Sequence, residues 1–199
     1  MSRISARITA VRLRHPFGAL LVACALWGAP HVHADEGSAF QLTDKFIRLV
    51  DTNYLLDAQF SIILSPGARE ALENGVPLVF EMQVQLVRTH PWFWDKVAAE
   101  ITFKRELKYN PLSRSYLVKD VRSAILSNYL QLDDALLAAG NIRDLIVIQQ
   151  SRLDRDRLYK MRVRGNLDIE SLPTPVRLLA YVSSAWDMRS EWYAWPFAR

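Results

Sequence analysis

Few side chains in this sequence could carry out a reaction, and where they lie narrows the choice further. The four histidines are at 15, 31, 33 and 90. Only His90 lies beyond residue 34, so a Ser/His/Asp set would have to be built on it. His90 directly precedes Pro91 in a turn-like stretch, and no serine sits in a G-x-S-x-G elbow. It reads as an exposed loop histidine. Asp154 and Asp156, in Leu153-Asp-Arg-Asp-Arg157, begin like a calcium loop. The third acidic position, the glycine and the closing glutamate of that pattern are missing, and the interleaved arginines describe a solvated mixed-charge turn. Asp133 and Asp134 are better explained as charge at a helix N-terminus. The seven glycines are scattered and form no phosphate-cradling loop, so a nucleotide cofactor has no support. The sequence therefore points to no catalytic residue, no cofactor and no metal. Paired carboxylates for glycan cleavage are defined by their separation in space. Asp57, Glu81, Glu100 and Asp168 all fall on polar strand faces, and they supply the alternative reading of an envelope hydrolase.

The aromatic residues are the best lead. Trp92, Phe93 and Trp94 are consecutive, and neither a strand nor a loop buries three successive side chains on one side. Trp186, Trp192, Tyr193, Trp195 and Phe197 crowd the other end of the chain. Exposed aromatic clusters bind sugars, lipid surfaces or protein partners. The residues assigned to such an interaction surface are Trp92, Phe93, Trp94, Trp192 and Trp195. The competing reading is that these rings fill the ends of a sandwich. Lys160-Met-Arg-Val-Arg164 gives a basic strand face that reads as simply solvated.

The chain opens with Arg3, Arg7, Arg12 and Arg14 and no acidic residue before Asp35. An apolar run from Phe17 to Ala29 follows, then the small-residue pattern Val32-His33-Ala34. This is the pattern of a secretory signal, with cleavage after Ala34 and a periplasmic body at 35–199. The run is too short to span roughly 30 Å of hydrocarbon as a helix. Leu21-Val22-Ala23-Cys24 also resembles a lipobox, so acylation at Cys24 or an uncleaved anchor are the alternatives, and either would place the protein on the membrane. Removing the four leader arginines from the 25 basic residues leaves 21, equal to the 21 acidic ones. A neutral body lacks the overall basic charge that nucleic-acid binding draws on. Cys24 is the only cysteine, so the body forms no internal disulfide and no thiolate metal site. A body of about 165 residues is one ordinary domain with room for its own core.

The body reads mainly as strands. Tyr54, Leu56, Ala58, Phe60, Ile62 and Leu64 alternate against Asp57, Gln59 and Ser61, the period of a strand with one buried face. The same alternation marks Leu78 to Leu86 and Tyr159 to Ile169. It marks Val97 to Phe103 as well, continuing to Tyr109 with Arg105 as the odd member of the apolar face. Two short helices are expected. One opens at Ser65-Pro66 and stops at Gly75; the other runs over Leu132–Ala139 and stops at Gly140. Leu145 to Ile148 suits a fully buried strand, and 176–185 is compatible with helix or strand. Eight to ten one-sided strands and two helices predict a mainly β, antiparallel sandwich-like domain with two short capping helices. The helices argue against a transmembrane barrel.

An ordered set of segments completes this reading: Leu49-Val-Asp-Thr-Asn-Tyr-Leu-Leu-Asp-Ala58, Ala71-Leu-Glu-Asn-Gly-Val-Pro-Leu-Val-Phe80, Trp92-Phe-Trp94, Leu107-Lys-Tyr-Asn-Pro-Leu-Ser-Arg-Ser-Tyr116, Leu132-Asp-Asp-Ala-Leu136, Gly140-Asn-Ile-Arg-Asp144, and the terminal Trp186 to Trp192. Together they resemble an uncharacterised proteobacterial family of exported proteins, domain of unknown function 4390. The resemblance implies no activity, cofactor or site residue. For a partner it implies an envelope protein or a membrane sensor kinase. The expected function is thus a non-catalytic periplasmic binding domain acting on an envelope component. The alternatives are the carboxylate hydrolase and an accessory lipoprotein of a sensor kinase.

Overall fold

The protein is described by a computed structural model covering residues 39–90, 92 and 94–197. Residues 1–34, where a leader with Cys24 is expected, and Phe93 lie outside the described residues. Nine strands occur among those described: β1 (Phe40–Val50), β2 (Asn53–Ile62), β3 (Leu78–Arg88), β4 (Lys96–Asn110), β5 (Ser115–Asp120), β6 (Leu126–Tyr129), β7 (Asn141–Gln149), β8 (Tyr159–Leu167) and β9 (Tyr193–Pro196). They build two antiparallel sheets, ordered β1-β2-β7 and β6-β5-β4-β3-β8-β9. Among the described residues no barrel closes, and β1 lies against β8 while β7 lies against β4. The fold is the mainly β, sandwich-like domain expected from the alternation.

The alternating apolar residues fill the space between the sheets. Leu56 and Phe60 of β2, Leu78, Phe80, Met82, Val84 and Leu86 of β3, and Met161 and Val163 of β8 are all fully buried. Each such side chain contributes roughly 1.5–3 kcal/mol by leaving water. Phe40 meets Phe60 and Phe80 edge-on, with ring centroids 6.3 and 5.8 Å away. Gly165 makes room for it: a Cβ there would stand 2.9 Å from Phe40 Cγ and nearer still to Cδ1.

Among the described residues three α-helices cover what the sheets leave open. In α1 (Pro66–Glu73) Ser65 Oγ accepts the Ala68 N–H at 3.2 Å, and Gly75 follows with φ +83°. The helix buries Ala68 and Leu72. α2 (Leu132–Ala139) lies against β2, β4, β5 and β6, where the smaller sheet does not reach. α3 (Thr174–Val182) resolves the segment that the sequence leaves open between helix and strand.

Two local expectations are corrected and a third holds. Residues 145–148 are not a fully buried strand: β7 is the edge of the small sheet, and Ile146 is 57 % exposed. Val97 does not share the inward face of Ile101. A bulge leaves Ala98 unpaired between the pairs Leu86–Ala99 and Val87–Val97, and one extra residue moves a side chain across the sheet. Arg105 does stay on the inward face, and there it pairs with Asp120 of β5 at 3.2 Å.

Candidate functional site

Three loops meet at one end of the sandwich. The β3–β4 connection is drawn to the 153–158 segment: the Thr89 N–H donates to the Leu158 carbonyl at 2.9 Å, and Arg88 pairs with Asp154 at 3.0 Å. Asp95 pairs with Lys160, and this hydrogen bond is the main reason its carboxyl sits below the ordinary 3.8. The His90 backbone N–H also favours the Asp95 carboxylate. The β1–β2 turn joins them where the Gln150 N–H donates to the Thr52 carbonyl at 2.8 Å. From this end project Trp92, 87 % exposed, Trp94, 95 % exposed, and the exposed Leu158. A hollow of about 560 Å³ between the β1–β2 turn and the 149–155 segment is lined by Leu49, Thr52, Tyr54, Gln149 and Arg155, among others.

The structure does not bring the other two tryptophans to this surface. In β9 Tyr193 and Trp195 pair with the buried Val163 and Met161, so they share the inward face. Tyr193 donates its hydroxyl to the Phe40 carbonyl at 3.1 Å, and Lys45 of β1 lies 5.4 Å from the Trp195 ring centroid. Trp192, one residue before Tyr193, takes the outer face of the large sheet. The guanidinium carbons of Arg162 and Arg164 each stand 4.6 Å from its ring centroid. The outer face continues as a hydrogen-bonded network. Arg162 Nε donates to Gln85 at 2.7 Å, and Gln85 Nε2 donates to Glu100 at 2.8 Å. Arg164 Nε donates to Gln83 at 2.8 Å, and Gln83 Nε2 donates to Glu81 at 2.7 Å.

The model of the family described as Domain of unknown function (DUF4390) matches residues 37–196. The chain belongs to this family. No curated protein and no solved structure matches it. The matched span runs through every strand of the DUF4390 domain, from β1 to β9.

The candidate carboxylates of this DUF4390 domain are engaged rather than poised. Asp57 pairs with Arg48 and also accepts the Asp144 N–H at 2.8 Å. Glu81 and Asp168 approach one another, but Lys104 Nζ stands between them, 3.2 Å from Glu81 and 2.6 Å from Asp168. Burial works to raise the Asp168 pKa. The hydrogen bonds from Lys104 and Ser171 outweigh it, and the net shift is below 3.8. The Asp168 bond likewise holds Lys104 above 10.5, against its own desolvation. A glycosidase needs one acid kept protonated near neutrality, and Asp168 is pushed the other way. Among the described residues no three His, Cys, Asp or Glu side chains are grouped to hold a metal ion, and no helix is long and apolar enough to cross a membrane.

Sequence reasoning located Arg162 and Arg164 but read them as a solvated face, and it missed their glutamine and tryptophan neighbours. The available signal was the strict alternation of Lys160, Arg162, Arg164 and Asn166. It places both arginines on one face without saying which strands lie beside it.

Proposed function

We propose that this DUF4390 domain is a non-catalytic binding domain of the cell envelope that engages its partner through the loop end carrying Trp92 and Trp94. The observation that carries this reading is the exposure of two large indoles within three residues, on loops anchored by the Arg88–Asp154 and Lys160–Asp95 pairs. Burying an aromatic side chain of 150–250 Å² in a partner is a strong source of binding energy. The leader pattern of residues 1–34 supports export, and the neutral body disfavours nucleic acid as the ligand. An envelope protein is the proposed partner, and a membrane sensor kinase is the specific one that the family resemblance implies. The hydrolase reading has no comparable support, since Lys104 occupies the space between Glu81 and Asp168.

The test is crosslinking in intact cells followed by mass spectrometry, with the wild-type chain and a Trp92→Ala/Trp94→Ala variant. Partners captured by the wild type and lost by a variant of unchanged thermal stability support the proposal. An identical set of partners removes the loop end as the binding surface.

A further inference from the structure

We propose that Arg162 and Arg164, stacked with Trp192 on the outer face of the large sheet, form a site for an oxyanion: the phosphate or carboxylate group of a small polar molecule. This goes beyond the partner surface at the loop end and does not depend on it.

The first ground is the missing counter-ion. Arg48, Arg88, Arg105, Arg177 and Arg189 each have a carboxylate within 4.0 Å. Arg162 and Arg164 have none among the described residues; Glu100 and Glu81 are each one glutamine away, and Asp95 feels Arg162 only through space. Two like charges two residues apart on one strand face repel, and nothing within ion-pairing distance offsets them.

The second ground is preorganisation. A guanidinium carries five N–H donors in a fixed fork. Here each Nε is committed to a glutamine carbonyl and the π face of Trp192 adjoins both groups. The terminal Nη donors meet no acceptor among the described residues. Held in this way, the two forks suit bidentate capture of oxyanion oxygens with little ordering left to do. Glutamate at 83 and 85 would have neutralised the arginines; glutamine orients them and leaves their charge intact.

The third ground is room for the rest of the molecule. A cleft of about 370 Å³ adjoins the site, bordered by Arg164, Asn166, Arg189 and Ser190. Four acids also border it, and each has a cation: Glu81 and Asp168 pair with Lys104, Glu170 with Arg177 and Asp187 with Arg189, which lessens their repulsion of an anion.

The experiment titrates the purified full chain, ¹⁵N-labelled at arginine, with inorganic phosphate, glucuronate or chloride at one ionic strength. Phosphate, glucuronate or both should shift the Arg162 and Arg164 Nε–H signals saturably, and chloride should not; which anion acts identifies phosphate or carboxylate as the group taken. An R162Q/R164Q variant should bind roughly tenfold more weakly or worse, while R155Q at the loop end binds as the wild type does. Should R162Q/R164Q fail to fold, R162K/R164K retains the charge and loses the fork, and must also bind more weakly. A response no different from chloride, or undiminished affinity in the folded Gln or Lys variant, overturns the site.

Discussion

Individual residues in this domain divide into those that hold it together and those that face outward without a partner. Trp92 and Trp94 belong to the second group. Their joint replacement by alanine should change stability by no more than about 0.5 kcal/mol, read from urea unfolding. A larger loss would mean that the rings pack in the folded protein. Lys104 and Asp168 belong to the first group, and their shifts set a pH dependence. The native Asp168 pKa lies below 3.8, so its contribution is complete above the unfolded carboxyl range and disappears as pH falls through the native value. The native Lys104 pKa lies above 10.5, so its contribution is complete below that and is lost as pH rises through the raised value. The stability gap between wild type and Asp168→Asn should therefore stay level through neutral pH and narrow in acid, below about pH 4. A gap of constant size down to pH 2 would show that the ion pair contributes nothing. The Lys104 bridge was not visible in advance, and tryptophan exposure was visible only in part. Three adjacent aromatics showed only that at least one could not be buried, and Lys104, Glu81 and Asp168 meet from three separate elements.

At the scale of elements, local rules served well where a feature is made by neighbours in sequence. Ser65, Pro66 and Gly75 delimit α1 by their own chemistry. Ser65→Ala should cost about 1 kcal/mol, measured by urea unfolding, because the Ala68 N–H loses its acceptor. Local rules failed where one strand answers to another. The Ala98 bulge that turns Val97 outward and the edge position of β7 are properties of pairing, and an apolar run such as Leu145–Ile148 reads the same at an edge as in a sheet centre. Gly165 shows the same dependence. Its alanine variant should lose about 1–3 kcal/mol by overpacking against Phe40. In a Phe40→Ala background, where the ring is gone, most of that loss should vanish. Equal penalties in both backgrounds would place the cause elsewhere than in the ring.

For the whole molecule, a sandwich of a three-stranded and a six-stranded sheet leaves one outer face of the larger sheet and one loop end open, and the two proposed sites occupy these separate places. In the proposed envelope setting, intact mass of the protein isolated from that compartment should correspond to a chain beginning at Asp35; acylation at Cys24 would instead yield a heavier, lipid-bearing form. The class of the fold, the position of α1 and α2 and the apolar sets of β2, β3 and β8 were readable because helix and strand periods repeat within a few residues. The grouping of Arg162, Arg164, Gln83, Gln85 and Trp192 was not. It requires β3 and β9 to flank β8 in one register, and side-chain alternation says which way a residue points but not which distant strand supplies its neighbour.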